Sequence, residues 1–244
     1  MYIDAHTHLD FFENNINKAI EDINKNEILT LANSMDIESY IKNKEYSKKS
    51  KFIKPCFGIH PWKASYYKRS LEELIPCIEE SEIIGEIGLD YLWVEDKSTF
   101  GMQRKVFNFI LEESIKRNKV ITLHTKDAEE EIYEALKKHN YNKVIIHWYS
   151  GEIKTLEKFI ELGCYFTISV DMGYSEKTNE VLSKIPIDKL LLETDGPTAL
   201  KWVNGEYAYP SEIKKVYEKV AKFKGINIDD LVEIIENNIR RLIA

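Results

Sequence analysis

Cysteine is scarce in this chain: Cys56, Cys77 and Cys164 are the only three, and no two stand in a CxxC spacing. An odd number without that spacing predicts reduced, buried thiols and argues against a disulfide framework. No GxxxxGK[ST] or GxGxxG run occurs, which excludes a P-loop enzyme and a nicotinamide enzyme on an open sheet. Long apolar runs are also missing, so no segment has the roughly 20 residues needed for a membrane span. The amino terminus, MYIDAHTHLDFF, lacks a basic stretch followed by an apolar one. Together these absences predict a cytoplasmic protein with no membrane partner. Positive charge is in deficit, with a net charge of −7, which excludes a broadly basic surface that coats nucleic acid. A bound divalent cation would still supply positive charge locally. No Gly/Ser/Pro-rich linker, internal repeat or low-complexity tract divides the 244 residues, and one domain over 1–244 is expected.

What the chain does contain is an alternation of short apolar, β-branched runs with longer amphipathic ones. Strands are predicted at Tyr2–Asp4, Ile28–Ala32, Lys51–Gly58, Ile83–Ile87, Val120–His124, Val144–His147, Cys164–Ser169 and Leu190–Glu193. Helical patterns lie between them, with two more, Ser211–Lys222 and Asp229–Leu242, after the last strand. Runs such as VIIH and LLLE suit parallel strands buried on both faces, since an exposed sheet would alternate. Eight such strands with intervening helices predict an α/β fold, a closed (β/α)8 TIM barrel, with a doubly wound open sheet as the alternative.

The histidines number six, and five of them follow or end predicted strands. His6 and His8 follow the first strand in DAHTHLD, His60 the third in GIHP, His124 ends the fifth and His147 the sixth. His139 lies at a helix end, where a favourable dipole interaction is the ordinary reading. Glu86 in GEIGLD and Asp195 in ETDGP occupy equivalent strand-end positions. In a parallel barrel those ends converge on one face, where loops build the active site. His-x-His on an extended segment sends both imidazoles to the same side. Imidazole and carboxylate together suit Zn, Mn or Fe ions, and an oxygen-richer, wetter site suits Mg. Glu86 is placed in chain order to bridge two ions through its two oxygens. The candidate metal ligands are therefore His6, His8, Glu86, His124, His147 and Asp195.

The ordered blocks DAHTHLD, GIHP, GEIGLDY, Gln103–Phe107, LHTKDA, HWYSG and ETDGP resemble the TatD family of metal-dependent deoxyribonucleases, within the amidohydrolase-like barrels. The resemblance covers nearly the whole chain. It implies two divalent ions (Zn, Mg or Mn) and hydrolysis of DNA phosphodiesters, often as an exonuclease on single strands. It further implies one ion on His6, His8, Glu86 and Asp195, and the other on Glu86, His124 and His147. His60 would lie beside the substrate phosphate, and Glu193 would support the ligands from behind. Asp195, Glu86 and His60 are the implied catalytic residues, with Asp195 orienting the attacking water and accepting its proton. His124-Thr125-Lys126 stands where the family commonly has His-x-Arg, which exchanges a bidentate fork for a point charge. HWYSG replaces HCFSG and places Trp148 and Tyr149 beside His147, where an aromatic ring can stack on a base or pack on the rim. The segment TALKWVNGEYAYP lacks the arginine-rich stretch often found there. With GCYF and ETDGP, these departures resemble a divergent branch some of whose members sit in anti-phage gene clusters, which would bring protein partners.

Two alternatives use the same cluster. One is hydrolysis of another ester or an amide, such as an ester on nucleic acid, because the fold does not choose the substrate. The other is a catalytically silent metal-binding subunit, although a structural site would need only four closed ligands.

Overall fold

The runs that read as continuous apolar strands have no exposed face. Residues Met1–Ala244 are described by a computed structural model. It contains eight strands: β1 (Ile3–Thr7), β2 (Leu29–Asn33), β3 (Ile53–Cys56), β4 (Ile83–Asp90), β5 (Val120–Lys126), β6 (Val144–Ile146), β7 (Tyr165–Ile168) and β8 (Leu190–Leu192). Every residue of β1, β4 and β5 is buried, as parallel strands covered by helices require. Pairing is parallel throughout, in the orders β1-β2-β3 and β4-β5-β6-β7-β8. The two arcs meet at a Phe57–Ile84 bridge. They close on the far side through Asp195 N donating to His6 O and His8 N donating to Gly196 O, both at 2.9 Å. The result is a (β/α)8 barrel, the architecture the alternation predicts.

The helices are α1 (Ile16–Asn26), α2 (Ile37–Ser47), α3 (Pro61–Ala64), α4 (Ile75–Glu80), α5 (Phe100–Lys116), α6 (Glu129–Lys138), α7 (Ile153–Leu162), α8 (Glu176–Lys184), α9 (Ala199–Asn204), α10 (Ile213–Lys224) and α11 (Ile228–Ile243). In α11 the buried residues Leu231, Ile235, Asn238, Ile239 and Leu242 fall on one stripe at helical spacing. Local chemistry marks several boundaries. Asp36, Ser175 and Asn227 accept backbone N–H groups at the starts of α2, α8 and α11, and Gly163 and Gly225 take left-handed conformations just past α7 and α10.

Two differences from the sequence reading bear on the site. Strand β5 continues past His124 to Lys126 because β4 pairs with it out to Asp90 and Lys126. Helices α3 and α9 leave no trace in the sequence pattern, since four and six residues are too few to display a 3.6-residue period.

Candidate metal centre

The carboxyl ends of β1, β5 and β6, the middle of β4 and the loops after β3 and β8 bring His6, His8, His60, Glu86, His124, His147 and Asp195 into one buried cluster. Glu86 is mid-strand, not at a strand end as the sequence suggests, because β4 continues along β5 to Asp90. None of the seven is more than 8% exposed. Within it, the two oxygens of Glu86 face two different sets of donors. On the Oε2 side, Nε2 of His6 and Nε2 of His8 each lie 3.3 Å from that oxygen. The two nitrogens are 3.3 Å from each other. Asp195 Oδ1 completes this set, 3.7 Å from His6 Nε2 and 3.6 Å from His8 Nε2. An ion with bonds of about 2.1 Å in tetrahedral geometry has ligand-to-ligand edges of about 3.4 Å. The separations among His6, His8 and Asp195 therefore suit a shared metal ion, with Glu86 Oε2 against both imidazoles; His6, Glu86 and His147, and His60, Glu86 and His124, form two further such groups. On the Oε1 side stand His124 Nδ1 at 2.8 Å, His60 Nε2 at 3.6 Å and His147 Nε2 at 3.7 Å. The rings of His6 and His147 stack at 3.8 Å between the two sets.

A ring of outer partners decides which imidazole nitrogen is free. His147 Nδ1 lies 3.0 Å from both oxygens of Glu193, so its proton is held there and Nε2 faces Glu86. His124 Nε2 lies 2.9 Å from Asp90 Oδ2, which assigns the proton to Nε2 and leaves Nδ1 for a ligand. Asp90 is fixed in turn. Its Oδ2 accepts Trp62 Nε1–H at 2.7 Å, its Oδ1 accepts the backbone N–H groups of Leu92 and Trp93, and Gln103 clamps its own N–H and C=O. Replacing Glu193 by Gln removes the charge that holds His147, and divalent-metal affinity should fall about tenfold. Competition with a chromophoric chelator measures this, and unchanged affinity would refute an orienting role for Glu193.

Electrostatics also point to a cation. Burial opposes ionisation of Glu86, yet the surrounding His60, His6 and His147, with the hydrogen bond from His124, hold its carboxyl well below the usual range. Burial pushes His60 and His147 well below the ordinary imidazole value, whereas for His6 and His124 the neighbouring carboxylates outweigh burial and push the imidazoles up. Burial also drives the Glu193 carboxyl up to about 7, against the opposing charge of His6 and the Thr167 hydroxyl. Burial lowers the basicity of His8, but its bond to Glu86 and the charge of Asp195 outweigh this and raise it to about 9. Glu86, Glu193, Asp195 and Asp90 are all buried, and Lys126 is the one lysine or arginine buried with them.

Three residues have partners in the structure that the sequence does not show. Lys126, the point charge in place of the family's arginine, is buried, with Nζ donating to Trp148 O at 2.6 Å and Ser150 Oγ at 3.2 Å. His60 reads as a neighbour of the substrate. The structure places its Nε2 among the donors around Glu86, with Nδ1 accepting the Trp62 N–H at the start of α3. Asp90 escapes sequence reasoning, because an aspartate closing the GEIGLD run is indistinguishable from any polar strand end. The Gln103–Phe107 block holds the usable clue, since Gln103 has no partner other than Ser65 and the Asp90 backbone.

Residues 3–244 match the family described as TatD related DNase. An uncharacterized metal-dependent hydrolase of Methanocaldococcus jannaschii is 26% identical over 97% of this chain and 94% of its own length. An uncharacterized metal-dependent hydrolase of Bacillus subtilis is 28% identical, covering 99% of this chain and 98% of its own. Among solved structures, a TatD homologue from Escherichia coli superposes with a TM-score of 0.88 at 23% identity, covering 99% of this chain and 97% of that one. A TatD-family hydrolase from Entamoeba histolytica superposes at 0.81 with 19% identity, covering 99% and 97%. Both superpositions establish the barrel.

Proposed function

We propose that this chain, which belongs to the family of TatD-related DNases and is a metal-dependent hydrolase, cleaves DNA phosphodiester bonds as a single barrel holding two divalent ions. The observation that carries the reading is the division of donors around Glu86. His6 and His8, with Asp195 beside them, lie against one carboxylate oxygen, and His60, His124 and His147 approach the other, so one carboxylate stands between the two groups. Divalent ions at such a site supply Lewis-acid charge for the phosphoryl oxygens and acidify water toward neutrality.

The protein's own groups supply the rest. Asp195, whose Oδ1 faces His6 and His8, orients the attacking water and takes its proton at a carboxylate oxygen. Burial raises the basicity of that carboxylate, against the charges of His147, His6 and His8. His60, whose basicity burial lowers, stands beside Glu86 and His124 where the phosphate or an ion must come. Glu193 and Asp90 keep His147 and His124 in the tautomers that present a lone pair inward. The compartment we assign is the cytoplasm; no helix is long and apolar enough to cross a membrane.

The test is a chelator-and-add-back assay on single-stranded DNA, double-stranded DNA, RNA and simple carboxylic esters. DNA cleavage lost on chelation and restored by a divalent ion is expected. Ester cleavage without phosphodiester cleavage would move the assignment to another bond. Stoichiometric metal with no turnover of any substrate would assign a silent subunit.

A further inference from the structure

All four tryptophans of the chain stand in segments that follow the carboxyl ends of strands: Trp62 after β3, Trp93 after β4, Trp148 after β6 and Trp202 after β8. Two of them form a pair beside the metal centre. The rings of Trp148 and Trp202 are nearly parallel, 23° apart in plane with centroids separated by 6.3 Å. Trp148 follows His147 directly, its ring 6.3 Å from that imidazole. Trp202, on α9, is 68% exposed.

The inner ring is held in place. Trp148 has φ of +35°, a conformation that a bulky residue adopts only when its surroundings impose it. Its N–H donates to Thr167 Oγ1 at 2.9 Å and its carbonyl accepts from Lys126 at 2.6 Å. The ammonium of Lys126 lies 5.8 Å from the Trp148 ring centroid, which brings a cation to the edge of the pair. Lys126 therefore serves the ring and its loop, which explains why it is buried and bonded.

We propose that Trp148 and Trp202 form a nucleobase-stacking subsite adjoining the metal centre, taking an unpaired base of the strand whose phosphate reaches Glu86 and Asp195. The inference rests on the phosphodiester reading and names what else of the substrate this chain grips. Charge selects this occupant. With a net charge of −7 and no arginine in the TALKWVNGEYAYP segment around Trp202, the rim cannot hold a strand mainly through its phosphates. Stacking is tolerant of sequence and contributes binding without a basic surface. A paired base has both faces covered, so the subsite favours single strands or frayed ends.

Trp202→Ala is the variant of choice, since the side chain is exposed and touches no candidate ligand. The probes are a short oligothymidylate and its abasic counterpart with the same number of phosphates. With cleavage blocked by phosphorothioate linkages in both oligomers and the divalent ion present, fluorescence anisotropy of a labelled oligomer reports binding to the full chain. Wild type should bind the base-bearing oligomer about tenfold more tightly than the abasic one, the effect of losing one stacked base. Trp202→Ala should erase that difference and Trp202→Phe should retain it. A wild type without preference, or an alanine variant that keeps it, overturns the proposal. The same oligomers with ordinary phosphodiester linkages then read cleavage separately. Base preference without cleavage of either oligomer removes the phosphodiester reading and leaves the stacking subsite standing.

Discussion

Glu86→Gln should lower the rate of hydrolysis on the order of 10³-fold and strip the protein of most of its divalent metal. The substitution keeps the side chain's size and replaces one ligand oxygen by an N–H₂ group. Whichever way the amide turns, that group faces imidazole nitrogens, His6 and His8 at 3.3 Å on one side or His124 at 2.8 Å on the other. One donor set must then lose its shared oxygen. Several kcal/mol of electrostatic stabilisation at the reacting group depend on the bound charge, and each 1.36 kcal/mol is tenfold in rate. The barrel should survive, because the buried imidazoles can shed protons and leave no stranded charge of the kind that makes broken buried pairs costly. Metal content by elemental analysis, turnover on single-stranded DNA and far-ultraviolet dichroism check the three parts. A variant with wild-type metal content and full turnover would dismiss Glu86 as the shared ligand.

The barrel was legible because its strands are buried on both faces, so IIGEIGLD and VITLHTK read as apolar runs broken by a few polar residues. The cluster was legible for the same reason: His6, Glu86, His124 and His147 are polar residues at positions where the strand pattern calls for apolar ones. What could not be read is everything set by contact between segments far apart in the chain. Asp90 acquires meaning only from Trp62 and His124, which come from other strands' ends. The part played by Lys126 depends on the carbonyl of Trp148, 22 residues away. Helix α9 gave no periodic signal, and the pairing of Trp202 with Trp148 needs the loops after β6 and β8 to meet. The two-sided arrangement around Glu86 is likewise a matter of rotamers, which chain order does not encode.

Gly58→Ala should cost about 3 kcal/mol of stability, the upper part of the usual range for overpacking, and loosen the metal centre although Gly58 carries no ligand. A Cβ at Gly58 would lie 2.3 Å from Glu86 O, 2.4 Å from its N and 2.6 Å from its C. All three are backbone atoms in the middle of β4, so no side chain can swing aside. Relief requires roughly an ångström of movement in the Glu86 backbone itself, for ordinary contact begins near 3.4 Å. A shift of that size carries both carboxylate oxygens away from donors spaced 3.3 and 2.8 Å from them. Gly58 belongs to GIHP, two residues before His60, so the close approach of β3 to β4 sets the position of the shared ligand. Gly101 provides the control. It lies within α5, and a Cβ there would meet nothing inside 4 Å. Gly101→Ala should therefore raise stability by about 0.5–1 kcal/mol through helix propensity alone. Denaturant midpoints and metal titrations on the two variants separate the effects. If Gly58→Ala binds metal as wild type does, the placement of Glu86 by this backbone contact is wrong.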